Sequence, residues 1–255
     1  RRPPDFVGEL TQWINDQCLY PRENLAVAAA LCAVSSLAGM RYVDGLDNMS
    51  ANIIAFGVAG SGTGKEQILQ SYLSIIKTAG VQAALHGGFK SEQEVMRNLI
   101  RHQAAFYCID ELGITLSKLQ NASKKGGASY LEGIVGLVMS VYSKANGYLP
   151  ITGDLKDDIK QKLIIEYAQV EKKLEKLAED SSTETMRAKL AEAKEQIMLA
   201  IKSVDDGLEN PYLTVLGFTT PVTFNDLMTF EQATNGFMAR AMIFSDLETN
   251  PKRKP

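Results

Sequence analysis

The sequence has little of what disulfide-bonded, metal-caged and membrane-spanning proteins need. Its three cysteines, Cys18, Cys32 and Cys108, show no paired spacing, and two lie inside apolar runs. That excludes a disulfide framework and reads as reduced core thiols in an intracellular protein. The two histidines, His86 and His102, have no ligand-like spacing and no cysteine partner, so no zinc cluster is expected. With the single Trp13 they are read as structural. Basic charge is not in excess either: 27 Lys and Arg against 30 Asp and Glu give a formal net charge of -3. A dedicated duplex-binding domain is usually basic, so nucleic-acid contact would rest on local patches or on assembly.

Long apolar runs are missing too. Leu25 to Met40 is the most apolar stretch, but Ser35 and Ser36 interrupt it, and it falls short of the ~20 residues of a membrane span. It is predicted to be a buried helix. The polar segment ahead of it argues against a secretory signal. No membrane partner is expected, and the expected location is the cytoplasm of a bacterium or phage-infected host. The Arg1-Arg2-Pro3-Pro4 start, without Met, and the Pro251-to-Pro255 end are read as those of a piece of a longer protein.

What is present is a globular composition, 45% hydrophobic over 255 residues, enough for one sizeable core with an appended element. Residues 1–50 read as a helical element. Asn52 to Val58 is a short apolar run bounded by glycine, the form of a strand buried on both faces. A helix follows, with Ile68, Leu69, Tyr72, Ile75 and Ile76 on one side, stopped by Gly80. Val81 to Leu85 reads as a weak strand. Ser91 to Glu94 is a capping box opening a helix, and Ala104 to Ile109 is the next buried strand. Strands alternating with helices imply parallel βαβ units. A further helix is predicted through Leu131, Ile134, Val138 and Val141, then a tight turn, possible as a hairpin, at Asn146-Gly147.

From about Leu155 to Val204 the pattern changes. Ile159, Leu163, Tyr167, Val170, Leu174 and Leu177 recur at steps of three and four, and Met186, Leu190, Ala193, Ile197 and Val204 repeat the pattern. Ser181 and Glu184 are placed to cap the second helix. Two narrow apolar seams read as an antiparallel helical hairpin inserted into the α/β core. The core resumes with strands at Tyr212 to Phe218 and Met238 to Phe244. The expected organisation is therefore a helical element (1–50), a core in two parts (51–154 and 206–247), a hairpin (155–205) and a tail (248–255).

The chemistry is concentrated after the first strand, in Ala59-Gly60-Ser61-Gly62-Thr63-Gly64-Lys65-Glu66. A phosphate-cradling loop needs residues without a Cβ, so that main-chain N–H groups can turn inward around the phosphates. The helix that follows adds its N-terminal dipole, and Lys65 can reach phosphate oxygens. The expected fold class is thus α/β, a P-loop core with a mainly parallel sheet, an N-terminal helical element and an inserted helical hairpin. Two residues depart from the usual pattern: Ala59 stands where Gly is usual, and Glu66 where Ser or Thr ordinarily ligates magnesium. A carboxylate there can hold Mg²⁺ directly or through water, while adding negative charge.

Asp110 and Glu111 end the second buried strand. In phosphoryl transfer such an Asp holds Mg²⁺ and the following Glu polarises the attacking water; the alternative is a solvated turn. Thr219 and Thr220 follow a third strand, where a hydroxyl can position water or simply cap what comes next. Arg240 is placed to reach a transferring phosphate, its own or a neighbour's, or to form a surface ion pair. Lys124, Lys125 and Lys144 are the candidate contacts for a polyanion, with Gly126 and Gly127 allowing their loop to move. The hairpin's nearly balanced charge suits protein contact or spacing.

Four segments occur together and in order: Ala59 to Glu66; Ile109-Asp-Glu-Leu-Gly113; Gly217-Phe-Thr-Thr-Pro221 with Phe224; and Gly236-Phe-Met-Ala-Arg240. Together they resemble AAA+/RecA-like ATPase domains of phage and mobile-element replication proteins, often placed downstream of a primase. Pro3-Pro-Asp-Phe6 and Pro21-Arg-Glu-Asn-Leu-Ala26 resemble that family's helical lead-in. The resemblance covers most of the chain except about 155–205. It implies ATP and Mg²⁺ as ligands, Lys65 as phosphate lysine, Asp110 as magnesium acid, Glu111 as water-activating acid, Thr220 as sensor and Arg240 as arginine finger. It also implies a homo-oligomeric ring, a replicative helicase motor acting on single-stranded DNA. The readings left beside it are an ATP-dependent switch that remodels protein partners and a DNA-packaging motor.

Overall fold

A computed structural model describes residues 3–39, 42–46, 49–115, 130–177, 184–227, 236–247 and 252–253. Two helices open the chain, α1 (Asp5–Gln17) and α2 (Glu23–Ala38), followed by β1 (Ile54–Ala59), α3 (Lys65–Thr78), β2 (Leu85–His86), α4 (Glu92–His102) and β3 (Ala104–Ile109). Then come α5 (Tyr130–Ser143), β4 (Tyr148–Leu149), α6 (Gly153–Leu177), α7 (Glu184–Asp206) and β5 (Leu208–Glu209). The last elements are β6 (Tyr212–Thr219), α8 (Pro221–Leu227) and β7 (Ala241–Asp246).

Five strands form one sheet in the order β2-β3-β6-β1-β7, and every pairing in it is parallel. Its three central strands, β1, β3 and β6, are buried along their whole length, which is why their sequences are apolar without alternation. Right-handed crossovers then fix the layers. The connection β1–α3–β2 runs one way across the sheet; β2–α4–β3, β3 to β6 and β6 to β7 run the other way. Helix α3 accordingly lies on one face, sharing a core with α1, α2, Ala55, Phe106, Leu216 and Phe218. Helices α4 to α7 and Phe224 lie on the opposite face, with Phe56, Tyr107, Leu213 and Val215.

Helix α2 is the buried helix expected from its composition. It packs on β1, β6 and β7 as well as on α1 and α3, so the N-terminal helices share the core of the sheet. Its two serines are satisfied inside: Ser35 Oγ lies 2.7 Å from Thr214 Oγ1 and 3.0 Å from Tyr212 Oη, and Ser36 Oγ lies 3.0 Å from Tyr72 Oη. The capping box also forms, with Ser91 Oγ accepting from Glu94 N at 3.0 Å and Lys90 N donating to Glu94 Oε2 at 3.0 Å.

Helices α6 and α7 pack on each other between β4 and β5, which pair antiparallel. Lys160 with Asp205 and Lys194 with Glu171 bridge the two helices, and Arg101 of α4 pairs with Glu166 of α6. Burial is deep near the sheet, at Leu155, Ile159, Leu163, Ile197 and Val204, and fades outward. Met186, expected in the seam, is 56% exposed. Ser181 lies outside the described residues.

Three other expectations are corrected. Val81 to Leu85 is not a strand: Gln82–Ala84 form a 3₁₀ turn and only Leu85–His86 pair with β3, since no β-branched residue follows Val81 and glycines stop the run at Gly87. No hairpin forms across Asn146-Gly147. The turn exists, with Gly147 N donating to Lys144 O at 2.9 Å, but β4 pairs with the distant β5. The last strand begins at Ala241; Met238–Arg240 form a 3₁₀ turn, and Met238 with the preceding Phe237 is drawn into the core.

Candidate functional site

Because the sheet is parallel, the ends of β1, β3 and β6 open on the same edge, where ligands of open α/β sheets are held. Strand β1 delivers the glycine loop there. Gly62 and Gly64 take φ of 68° and 93°, a region favouring residues without a Cβ. Thr63 Oγ1 donates to Gly60 O at 2.7 Å and closes the loop on itself. Helix α3 starts at Lys65 without any side-chain cap, leaving first-turn N–H groups open to an anion. The Lys65 side chain is nearly buried, and its ammonium donates to Ala59 O at 3.2 Å and Thr219 O at 3.3 Å. It thus spans the ends of two adjacent strands.

Strand β3 delivers the two acids. Asp110 is exposed and accepts from Glu111 N at 3.0 Å. Glu111 is half-buried with φ at 54°, a backbone state that costs a non-glycine residue about 1–2 kcal/mol. What holds it there is packing on both following residues. Leu112 is fully buried against Gly217, where an added Cβ would lie 2.0 Å from Leu112 Cδ2. Gly113 lies so close to β6 that a Cβ would come 2.1 Å from Thr219 Oγ1. Strain held by a packed surround is characteristic of functional positions.

Loop and acids face each other across a cavity of about 320 Å³, lined by residues 61–66 together with Asp110 and Glu111. One ammonium and three carboxylates (Lys65; Glu66, Asp110 and Glu111) therefore border one space with a row of main-chain N–H groups. Such a set suits a polyanion accompanied by a divalent cation. Among the described residues no three or more His, Cys, Asp or Glu side chains form a metal cage of their own. Asp110 and Glu66 nevertheless fit the partial shell that Mg²⁺ takes, one or two carboxylates completed by water and substrate phosphates. Behind the site, burial first and the Asp110 charge second push the Cys108 thiol up to about 12, so it is no nucleophile near neutrality.

The remaining expected residues divide. Thr219 is the last residue of β6, not past it; its hydroxyl is buried without a partner. The Thr220 hydroxyl lies 2.9 Å from Thr223 Oγ1 and accepts from Thr223 N at 3.3 Å, so it caps α8, with Pro221 at the first helical position. Arg240 is not brought to the cavity. It precedes Ala241, which pairs with Ile54 at the start of β1, whereas the loop follows Ala59 at the other end. At ~3.3 Å per strand residue the separation is about 20 Å. Its Nη1 donates to Gly236 O at 2.9 Å. Lys144 is exposed after α5 and does not line the cavity. Lys124 and Lys125 lie outside the described residues.

Two residues next to the loop were not anticipated. Arg22 is wholly buried, with Nε donating to Thr63 O at 3.1 Å and Nη1 to Asp246 Oδ1 at 2.6 Å. Arg22 lies in the Pro21-to-Ala26 segment of the family resemblance, which gave it no role; its local signal was a charge directly ahead of an apolar helix. Comparison with protein-family models, curated proteins and solved structures finds no significant match to the chain. Among the described residues no helix is long and apolar enough to cross a membrane.

Proposed function

We propose that the chain is an ATP-binding and ATP-hydrolysing P-loop domain whose core is interrupted by the α6–α7 hairpin. The observation that carries the reading is the one cavity shared by the Ser61–Gly64 turn, Lys65, Glu66, Asp110 and Glu111. In this reading the loop amides and the start of α3 bind the triphosphate, and Lys65 exchanges its two carbonyl partners for phosphate oxygens. Asp110, with Glu66, would hold Mg²⁺, which when bound draws off charge developing on the phosphate oxygens. Glu111 orients and polarises the attacking water. The unpartnered Thr219 hydroxyl, rather than the capping Thr220, is the better group to sense what occupies the cavity.

By resemblance the motor is a head-to-tail ring working as a helicase on single-stranded DNA, with Lys124, Lys125 and Lys144 as contacts. In such a ring Arg240 serves a neighbour's site. A second reading, a switch that remodels protein partners, is favoured by the helix pair. Ile164 and Ile165 of α6 and Met198 and Leu199 of α7 are 43–57% exposed on an element of nearly balanced charge.

Binding of a fluorescent ATP analogue and phosphate release test the proposal. Lys65→Ala is expected to abolish binding, and Glu111→Gln to keep binding but remove turnover. Absence of binding by the unmodified protein refutes the ATPase reading. Turnover indifferent to single-stranded DNA at low salt replaces the helicase reading with the switch.

A further inference from the structure

A buried guanidinium is costly to remove from water and is retained only where its partners repay the loss. Arg22 has side-chain exposure of 0%, against 18% for its partner Asp246. Apolar packing at such a place is often as stabilising as an ion pair, so stability alone does not account for an arginine here. Its contacts suggest what does. The backbone N of Arg22 donates to Asn15 Oδ1 of α1 at 3.1 Å, and its carbonyl accepts from Ala26 N, the first bond of α2. The guanidinium then joins Thr63, inside the glycine loop, to Asp246, the last residue of β7. Its Nη2 is buried without a partner.

We infer that Arg22 is a positioning residue for the glycine loop, with Asp246 as its anchor. Resting on the nucleotide reading above, it fixes which way the loop amides face. A peptide group has its C=O and N–H on opposite sides. Holding the Thr63 carbonyl outward, onto Arg22, turns the Gly64 N–H the other way, toward the cavity side of the loop. Asp246 holds the guanidinium in register, because a planar fork with fixed donor directions can serve the two acceptors together. The pair also ties the loop to the end of the edge strand β7.

Lysine separates the two arms. It has no donor at the Nε position, so Arg22→Lys keeps a charge for Asp246 while losing the bond to Thr63. Arg22→Lys and Asp246→Asn would be compared with the unmodified protein and Lys65→Ala by fluorescent ATP-analogue titration and by melting without nucleotide. The expected result for Arg22→Lys, which keeps the charge, is an apo melting temperature close to that of the unmodified protein with nucleotide affinity about tenfold weaker. Asp246→Asn, which leaves the buried guanidinium without its carboxylate, should melt lower and bind more weakly than its loss of folded protein accounts for. Affinities within twofold of the unmodified protein, while Lys65→Ala loses binding, overturn the inference and leave the nucleotide reading intact. Weakened binding explained wholly by a lower apo melting temperature also overturns it, making the pair structural alone. Absence of binding by the unmodified protein removes the nucleotide reading itself, and the inference with it.

Discussion

Replacing Gly64 by alanine separates backbone strain from lack of space at the loop. With φ at 93°, Gly64 stands where an L side chain costs about 1–2 kcal/mol. Alanine recovers about 0.4–1 kcal/mol by restricting the unfolded chain. Gly62, at φ 68°, has nothing within 4 Å of the position of an added Cβ, so Gly62→Ala is governed by these two terms alone. Its expected cost is about 0–1.6 kcal/mol, a melting shift of no more than about 3–6 °C for a chain this size. At Gly64 the new methyl would also lie 3.2 Å from both the Cβ and the carbonyl O of Tyr20. One of those is backbone and cannot rotate away, so overpacking adds about 1–3 kcal/mol. Gly64→Ala should therefore cost about 1–5 kcal/mol and melt at least about 2 °C below the unmodified protein, and below Gly62→Ala, when followed by circular dichroism without nucleotide. A Gly64→Ala protein as stable as Gly62→Ala would refute the idea that Tyr20 closes down on the loop. One more stable than the unmodified protein would refute the left-handed backbone itself.

Other outcomes follow from the buried groups. Burial, chiefly, holds His86 and His102 below the ordinary value of 6.5, opposed by Glu94 at His86 and assisted by Arg101 at His102. The unfolded chain then takes up protons that the folded chain refuses, so this contribution is whole above about pH 6.5 and is lost as pH falls below it. Melting temperature should fall in that window, and less steeply after replacing both histidines by glutamine; an unchanged slope would refute the assignment. All three cysteines are buried and none is in a disulfide. A thiol-reactive dye at pH 8 should label them slowly in the folded protein and rapidly in denaturant, and rapid labelling of the native chain would contradict the burial of Cys108. Glu66→Thr should tighten the magnesium dependence of nucleotide binding if the carboxylate merely adds repulsion; a loss of turnover would instead give Glu66 a role of its own.

The sequence made the central strands and the glycine loop legible for one reason: full burial on both faces leaves continuous apolar runs, and what breaks them must be functional or a turn. Asp110 and Glu111 stood out because charge ends such a run abruptly. The edges were harder. Strand β7 is half exposed, with Met242 and Ile243 39% and 44% accessible, so its pattern slid three residues toward Met238 in the reading. Two-residue strands such as β2 and β4 carry no periodicity at all. The pairing of Arg22 with Asp246 spans 224 positions and leaves no local trace. Nor does a sequence say that Thr220 caps a helix while its neighbour Thr219 keeps a free hydroxyl; that depends on where α8 begins.

Strand direction settles a question that residue types left open. Arg240 was placed to reach a phosphate in its own chain or in a neighbour's. In a parallel sheet the residue that enters β7 and the loop that leaves β1 are necessarily at opposite ends, however the intervening segments run. Pairing of Ile54 with Ala241 and of Ala59 with Asp246 makes that separation a full strand length. No side-chain rotation covers about 20 Å, since an arginine extends no more than a few residues' rise. Action of Arg240 on the cavity of its own chain is therefore excluded. The residue that does reach the loop from β7 is the one at its far end, Asp246, through Arg22. The two ends of the edge strand thus differ: Arg240, just ahead of it, donates to Gly236 O far from the cavity, while Asp246, its last residue, holds the arginine that bonds the loop.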